Sequence, residues 1–340
     1  MSDLLRRKDE HLHIVLSGDV GAVAKSGGFA SIEFEHNALP ELDMAAIDLS
    51  ASFLGRTLSA PLLISSMTGG PAKAVSINEN LARSAGALGI AMAVGSQRVA
   101  VETGEAGGLQ RRLRDLIGDM PLLSNFGAAQ LKGGKGVDMA RRVVEMIGAD
   151  AVIVHLNPLQ EAVQHGGNRD WSGLFPELEK LAAGLDVPVV VKEVGCGISA
   201  ALARRLWDAG VRIIDVAGAG GTSWAAVEAR RAPDERGRRI AETFRDWGIP
   251  TARALAGVRE ACPDAVVIAS GGMRSGLDAA KAIRLGADLV GQAAGVLPAA
   301  LAGEDAVIAH FEDRITELRI ACFCTGSADL AQLRRAPLLA

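Results

Sequence analysis

The chain has 340 residues, with 40 acidic side chains against 36 Lys and Arg and a formal net charge of −4. An apolar fraction of 49% and a charged fraction of 22% exclude a chain too polar to build a core. The charges are interspersed, which excludes the basic stripe of a nucleic-acid binder, and no apolar run approaches the ~18 residues a membrane helix needs.

The N-terminus, MSDLLRRKDEHLH, lacks the apolar stretch and small-residue cleavage site of a signal peptide. The four cysteines (Cys196, Cys262, Cys322 and Cys324) show neither metal-ligand nor disulfide-framework spacing. Together these predict a protein of the reducing cytoplasm. Residues 1–60 read as an N-terminal extension packed on the main fold. They open with a basic helical segment in which Arg7, Lys8 and His11 share one face and continue through a polar stretch, Lys25-Ser26-Gly27-Gly28.

From residue 62 onward, short apolar runs alternate with helical stretches. The runs are Leu62–Ser65, Ile90–Gly95, Leu122–Phe126, Ala151–His155, Val187–Glu193, Ile213–Ala217, Val266–Ser270 and Leu289–Gln292. Such runs suit parallel strands buried on both faces. Helical patterns cover Ile77–Leu88, Met139–Ile147, Ala200–Ala209, Arg253–Ala261 and Leu277–Leu285, and several stop at a glycine just before the next strand, as at Gly148, Gly210 and Gly286. Eight βα alternations in about 230 residues predict an α/β fold, a (β/α)₈ TIM barrel with an N-terminal extension, as one domain over 1–340. An open doubly wound sheet is the alternative. The dense charge of Glu228–Glu242 reads as a solvated surface loop, with a mobile lid as the sharper alternative.

A βα barrel places its chemistry at the C-terminal ends of its strands. Here every strand end is small or polar: Ser66-Met67-Thr68-Gly69-Gly70, Ser96-Gln97-Arg98, Asn125, His155 through Glu161, Lys192, Gly220-Gly221-Thr222, Gly271-Gly272-Met273, and Ala293-Ala294-Gly295. Glycine-rich loops after strands six, seven and eight expose backbone N–H groups, and a helix beginning near Ser275 points its positive end the same way, which suits a phosphate. Lys192 interrupts an apolar strand, so it should face a negatively charged cofactor or substrate. Its neighbour Glu193 faces the other side. Glu161 suits a hard cation shared with phosphate oxygens. His155 is either a general base or a packed core residue. Arg7, Lys8 and His11, with Arg98, suit a diphosphate. There is no tyrosine, which removes one common general acid.

Seven of these segments, in order, resemble the type II isopentenyl-diphosphate isomerases. They are Arg-Lys-x-x-His at 7–11, Ser-Ser-Met-Thr-Gly-Gly at 65–70, Ala-Val-Gly-Ser-Gln-Arg at 93–98, His-Leu-Asn-Pro-Leu-Gln-Glu at 155–161, Val-Lys-Glu-Val-Gly at 191–195, Gly-Gly-Thr-Ser-Trp at 220–224, and Ala-Ser-Gly-Gly-Met-Arg-Ser-Gly at 269–276. The resemblance covers nearly the whole chain. It implies FMN contacts at Ser66, Met67, Thr68, Ser96, Asn125, Lys192, Thr222, Gly271, Gly272, Met273, Ala293 and Ala294. It implies substrate contacts at Arg7, Lys8, His11, Ser96, Gln97, Arg98 and Gln160, Mg²⁺ at Glu161, and catalytic roles for Gln160 and Lys192. The strand-eight run Gln-Ala-Ala-Gly departs from the family pattern near Ala294. The implied activity interconverts isopentenyl and dimethylallyl diphosphates in isoprenoid biosynthesis by a 1,3-proton shift, with reduced FMN as acid and base and NADPH as the reductant. Assembly as a tetramer or octamer goes with it.

Three other readings use the same barrel; one of them, a nucleotide dehydrogenase of the inosinate type, would need a cysteine in the loop after strand six, where Thr222 and Ser223 stand. A hydroxy-acid oxidase needs a histidine base late in the barrel, where this chain offers Met273 and Arg274. A flavin-binding scaffold without activity would not need Gln160, Glu161, Lys192 and a basic N-terminal face.

Overall fold

Val, Ile, Leu and Ala dominate the eight runs, and in the computed structural model all eight are strands of one closed parallel barrel. The structure describes residues 3–18, 20–23, 26–67, 73–104 and 107–339. A short antiparallel hairpin, β1 (Ala51–Phe53) and β2 (Arg56–Leu58), precedes the barrel. The staves are β3 (Leu62–Ile64), β4 (Ala91–Ala93), β5 (Leu122–Gly127), β6 (Ala151–Leu156), β7 (Val189–Glu193), β8 (Ile213–Asp215), β9 (Val266–Ser270) and β10 (Leu289–Gln292). Pairing of β10 with β3 closes the ring and excludes the open doubly wound sheet.

Alternation along each strand sends every second side chain inward. Leu63, Ala91, Ala93, Leu123, Ala151, Ile153, Val190, Ile213, Ile268 and Leu289 form the buried interior cluster, and Phe53 and Leu58 of the hairpin join it. Two residues further along each chain, the inward positions are Ser65, Gly95, Asn125, His155, Lys192, Asp215, Ser270 and Gly291. The barrel interior therefore changes from aliphatic to polar within a single level.

The N-terminal extension is held to this barrel as expected. Its helix, Asp3–Leu16, packs on helix Trp224–Arg231, and Gly21 bridges to Thr222 in the loop after β8. The charged segment 228–242 departs from both sequence readings. It is neither a loop nor a lid but two helices, Trp224–Arg231 and Glu235–Thr243, whose first turns are capped by Ser223 and Asp234. Ion pairs at i,i+3 such as Glu235–Arg238 and Glu228–Arg231 let so charged a sequence stay helical.

On the opposite face the expected glycine stops are present, Gly148 at φ 66° and Gly286 at φ 107°. Each is followed by an aspartate in a matching clamp. Arg114 donates to Asp150 (2.5 Å) and to the carbonyls of Gly118, Met120 and Gly148, while the same carboxylate accepts from Leu122 N–H at 2.8 Å. Arg259 donates to Asp288 (2.6 Å) and to the carbonyls of Pro263, Ala265 and Gly286, and Asp288 accepts from Val267 N–H at 2.8 Å. The two clamps lie half a barrel apart, at the starts of β5–β6 and β9–β10. Asp288 alone has a second cation, Arg334, at 3.0 Å. Arg114→Met should therefore lower unfolding stability by about 2–3 kcal/mol, the scale of lost hydrogen bonds to a charged group. Arg259→Met should cost less, because Arg334 remains. Urea midpoints at unchanged m-value check both.

Candidate active site

The polar level of the barrel is the floor of a cavity of about 420 Å³ at the C-terminal ends of the strands. Ser65, Asn125, His155, Lys192, Ser270 and Gly291 line it from below. Asn125 Nδ2 donates to Ser66 Oγ at 2.8 Å, which leaves its Oδ1 to accept from His155 Nδ1–H at 2.7 Å. Burial, with Lys192 and Lys8 nearby, pushes His155 down to about 3, so the ring is neutral at physiological pH. Of the two sequence readings, the packed, hydrogen-bonded histidine is the one the geometry favours. Lys192 Nζ donates to the Glu193 carbonyl at 2.7 Å. Glu193 itself points out of the barrel, as alternation requires, and accepts from the N–H groups of Val194, Gly195 and Cys196. Burial raises it to about 7 against those hydrogen bonds.

The glycines of the later loops do more than expose N–H groups. A Cβ on Gly271 would lie 2.2 Å from Gly218 O, and one on Gly272 2.5 Å from the backbone of Gly220. The loops after β8 and β9 thus interlock backbone against backbone. The expected phosphate site at the helix near Ser275 is corrected by the structure. Three N–H groups at the start of helix Gly276–Arg284 are already occupied: Gly276 N–H donates to Glu317, Ser275 N–H to Asp278 at 3.2 Å, and Asp278 N–H to Ser275 Oγ at 3.1 Å. A carboxylate from a helix far along the chain fills the place an anion would take.

The cavity's other wall comes from the N-terminal helix, which brings Arg7, Lys8 and His11 over the barrel mouth beside Arg98. Lys8 Nζ donates to Ser96 O at 2.6 Å. Burial, then the charges of Arg7 and Arg98, lowers Lys8 to about 7. Burial and Arg98 likewise hold Arg7 below its ordinary value. Cations crowded into a half-buried site gain most from a multiply charged anion.

Beside them lies a carboxylate that the sequence reading assigned to a charged loop. Glu228 is 2% exposed. It accepts from Gln160 Nε2 (3.0 Å) and Arg231 Nη1 (2.6 Å) and bonds His11 Nε2 at 2.9 Å. Burial opposes its charge, but His11, Gln160 and Arg231 hold it below the usual carboxylate range. Burial lowers His11 despite this partner. Gln164, with its amide nitrogen turned to Glu228, also accepts from Arg7 Nη1 at 3.0 Å. Trp224 meets the His11 ring edge-on at 5.2 Å. The available signal was Trp224 and Glu228 at i,i+4 on a capped helix, masked by the surrounding charge. Glu161, 8% exposed, sits in the first turn of helix Pro158–Val163. It accepts from Asn157 Nδ2 at 3.3 Å and from Asn168 N–H.

The structure brings Arg7, Lys8, His11, Ser66, Met67, Ser96, Arg98, Asn125, Gln160, Glu161, Lys192, Thr222, Gly271, Gly272, Met273, Ala293 and Ala294 to this one cavity. Gln97 is the exception and a correction. It is fully buried, its Nε2 donates to Val143 O (2.9 Å), and its Oε1 accepts from Asn125 N–H (3.0 Å), so it props the backbone of β5 and does not line the cavity. Thr68, with Gly69 and Gly70, lies outside the described residues.

Residues 127–339 match the FMN-dependent dehydrogenase family model. Curated relatives named isopentenyl-diphosphate delta-isomerase match almost end to end. The Stutzerimonas stutzeri protein is 65% identical over 99% of this chain and 97% of its own. The Xanthobacter autotrophicus protein is 60% identical over 98% and 97%, and that of Synechocystis 50% over 99% and 97%. The chain belongs to the isopentenyl-diphosphate delta-isomerase family. Among solved structures, a mandelate oxidase variant with a monooxide FMN adduct superposes with TM-score 0.68 at 20% identity over 99% of both chains. A putative lactate oxidase of Pediococcus acidilactici does so with TM-score 0.67 at 18% identity over 99% and 93%. At that identity they establish the shared barrel and nothing of the chemistry. The histidines lining this family member's cavity are His11 and His155, neither from β9 or β10.

The cavity fits the flavin of the matched family. Its volume is in the range of cofactor sites. Gly95 and Gly291 leave the barrel mouth open, and the buried Ser65 Oγ has no hydrogen-bond partner in the protein. For a metal the fit is narrower: among the described residues no cluster of three His, Cys, Asp or Glu could hold one, so Glu161 would have to share a cation with ligand oxygens.

The lowered Lys8 gives a pH signature. An anion favours its charged form, so binding takes up a proton once the free site has lost it. Affinity for inorganic diphosphate should weaken as pH rises through about 7, by up to about tenfold per pH unit. Lys8→Arg, measured by Trp fluorescence titration from pH 6.5 to 8.5, should flatten the part not due to diphosphate's own titration.

Proposed function

We propose that this protein interconverts isopentenyl and dimethylallyl diphosphates by a 1,3-proton shift, with FMN in its reduced form over the barrel floor, and that it serves isoprenoid biosynthesis in the cytoplasm as a homo-oligomer, tetramer or octamer. The observation that carries the reading is the division of one cavity into a polar, flavin-sized floor and a cationic rim of Arg7, Lys8 and Arg98. Neither half alone distinguishes an isomerase from an oxidase. Together they suit a diphosphate tail at the rim and a short alkene above the floor.

The reaction adds a proton to the terminal CH₂ carbon and removes one from C2, so no electrons are transferred. Cationic character develops at the tertiary carbon between them, which requires a dry site and a well-placed acid. The side chains offer little acid. His155 is neutral, His11 is lowered, and Glu228 is held ionised. Bound and reduced, FMN supplies the acid and base, as cofactors carry the hard chemistry generally; NADPH is the proposed reductant. Lys192, which lines the cavity floor, would stabilise negative charge on the bound ring. Arg7, Lys8 and Arg98 would bind the diphosphate, and Glu161 would hold the Mg²⁺ that helps neutralise it. Gln160, held by Asn157 Nδ2 at 3.0 Å and by Glu228, is fixed at the edge of the alkene's space, and Trp224 with His11 excludes water there.

The test is turnover of isopentenyl diphosphate with FMN and Mg²⁺, anaerobically, with and without NADPH. Product only under reducing conditions is expected. Bound flavin without isomerisation, with oxidation of an added hydroxy acid, would replace this reading by the oxidase. Glu161→Gln should raise the Mg²⁺ concentration for half-maximal rate by tenfold or more, and an unchanged metal dependence would remove it as the ligand.

A further inference from the structure

Asp215 has no part in the chemistry so far. It ends β8 with no exposure, on the same interior level as Lys192, and the two strands pair Lys192 directly with Asp215. Its Oδ1 accepts from Ser270 Oγ at 2.6 Å and from Ala217 N–H at 3.3 Å. Ala217 is held at φ 36°, unusual for a residue other than glycine, and aims its N–H back at the carboxylate. Oδ2 has no hydrogen-bond partner and faces Lys192 Nζ at 3.9 Å. A buried carboxylate oxygen left without a hydrogen bond is costly, and this one faces the one cation that the described residues bring to the cavity floor.

The donors gathered on one oxygen and the cation beside the other favour the ionised form, although burial raises the carboxyl. Lys192 already donates to the Glu193 carbonyl, so it has donors left to offer the cavity. Lys192 lines the cavity whereas Asp215, fully buried beside it, does not. A flavin gains negative charge when it is reduced, so the charge that it meets across this floor is that of the Lys192–Asp215 pair and not of a lone lysine.

We propose that Asp215 is a positioning residue for the flavin site: it tethers Lys192 and offsets part of its charge, and so sets how strongly the protein prefers reduced over oxidised FMN. This rests on the reading that Lys192 faces the bound ring. In water the effect of one distant charge would be small, but the pair is buried and screening is weak.

The experiment measures midpoint potentials of the bound flavin by dye equilibration, together with FMN dissociation constants, for the whole protein and four variants. Lys192→Met should make the flavin harder to reduce. Asp215→Asn keeps the shape and removes the charge, and should make it easier to reduce, favouring reduced over oxidised FMN by about tenfold, or ~30 mV for a two-electron couple. Ser270→Ala removes the hydroxyl that stabilises the ionised carboxylate and should shift the potential the same way by less; it carries the test if Asp215→Asn does not fold. In the double variant with Lys192→Met, a buried carboxylate that has lost its cation protonates, so Asp215→Asn should then be nearly silent. No shift for Asp215→Asn, a downward shift, or the same shift with and without Lys192 would overturn the proposal while leaving Lys192 at the flavin. No shift for Lys192→Met would overturn both.

Discussion

The interior of the barrel changes character in one step, and most of the site follows from that step. Below it, Leu63, Leu123, Ile153, Val190, Ile213, Ile268 and Leu289 pack against one another and against Phe53 and Leu58 of the hairpin. Above it, the same inward direction carries Ser65, Asn125, His155, Lys192, Asp215 and Ser270. Polar groups at the end of an apolar shaft must find partners or a ligand. Asn125 ties Ser66 to His155, and Ser270 and Lys192 share Asp215. What is left unsatisfied, Ser65 Oγ and Asp215 Oδ2, lies at this same level. The polar layer is thus both the lid of the core and the floor of the cavity.

The rim obeys a different rule. Floor groups are fixed by strand geometry, whereas Arg7, Lys8 and His11 arrive on a helix from outside the barrel. Lys8 is held by a backbone oxygen, Ser96 O, His11 by one carboxylate, Glu228, and Arg7 by the Gln164 amide. Glu228 also fixes Gln160 and is balanced by Arg231, which in turn holds Glu10 at 3.0 Å. A single residue thus connects the docked helix, the β6 loop and the helix after β8. The N-terminal helix is part of the cavity wall, although the extension supplies no strand to the barrel.

The strands, their order and the placement of nearly every chemical residue were legible because a parallel barrel writes a simple rule into its sequence: apolar run, then small or polar end. Lys192 and Glu193 could be assigned to opposite faces by alternation alone. Legibility failed where direction is not set by a strand. Gln97 follows the short strand β4 and leads into a helix, so nothing local reveals that its amide turns back to β5 and Val143. Glu228 was hidden because a dense run of charge looks the same whether it is solvated or contains one buried member. The N-terminus of helix Gly276–Arg284 looked open to phosphate because the Glu317 that fills it lies 41 residues away in sequence.

The division of labour between floor and rim also explains how one scaffold serves different chemistry. The solved structures that share this barrel at about 20% identity include mandelate oxidases, so the strand framework does not choose the reaction. That choice falls to groups outside the ladder. Arg7 and Lys8 of the docked helix and Arg98 after β4 repel one another, and that repulsion adds to burial in holding Arg7 and Lys8 below their ordinary values. An anion that relieves it favours the docked helix by the same free energy that docking lends to the anion. A neutral or singly charged ligand relieves less of it and is held correspondingly less well. Cations placed where they are poorly accommodated by themselves thus favour a multiply charged anion over a neutral one.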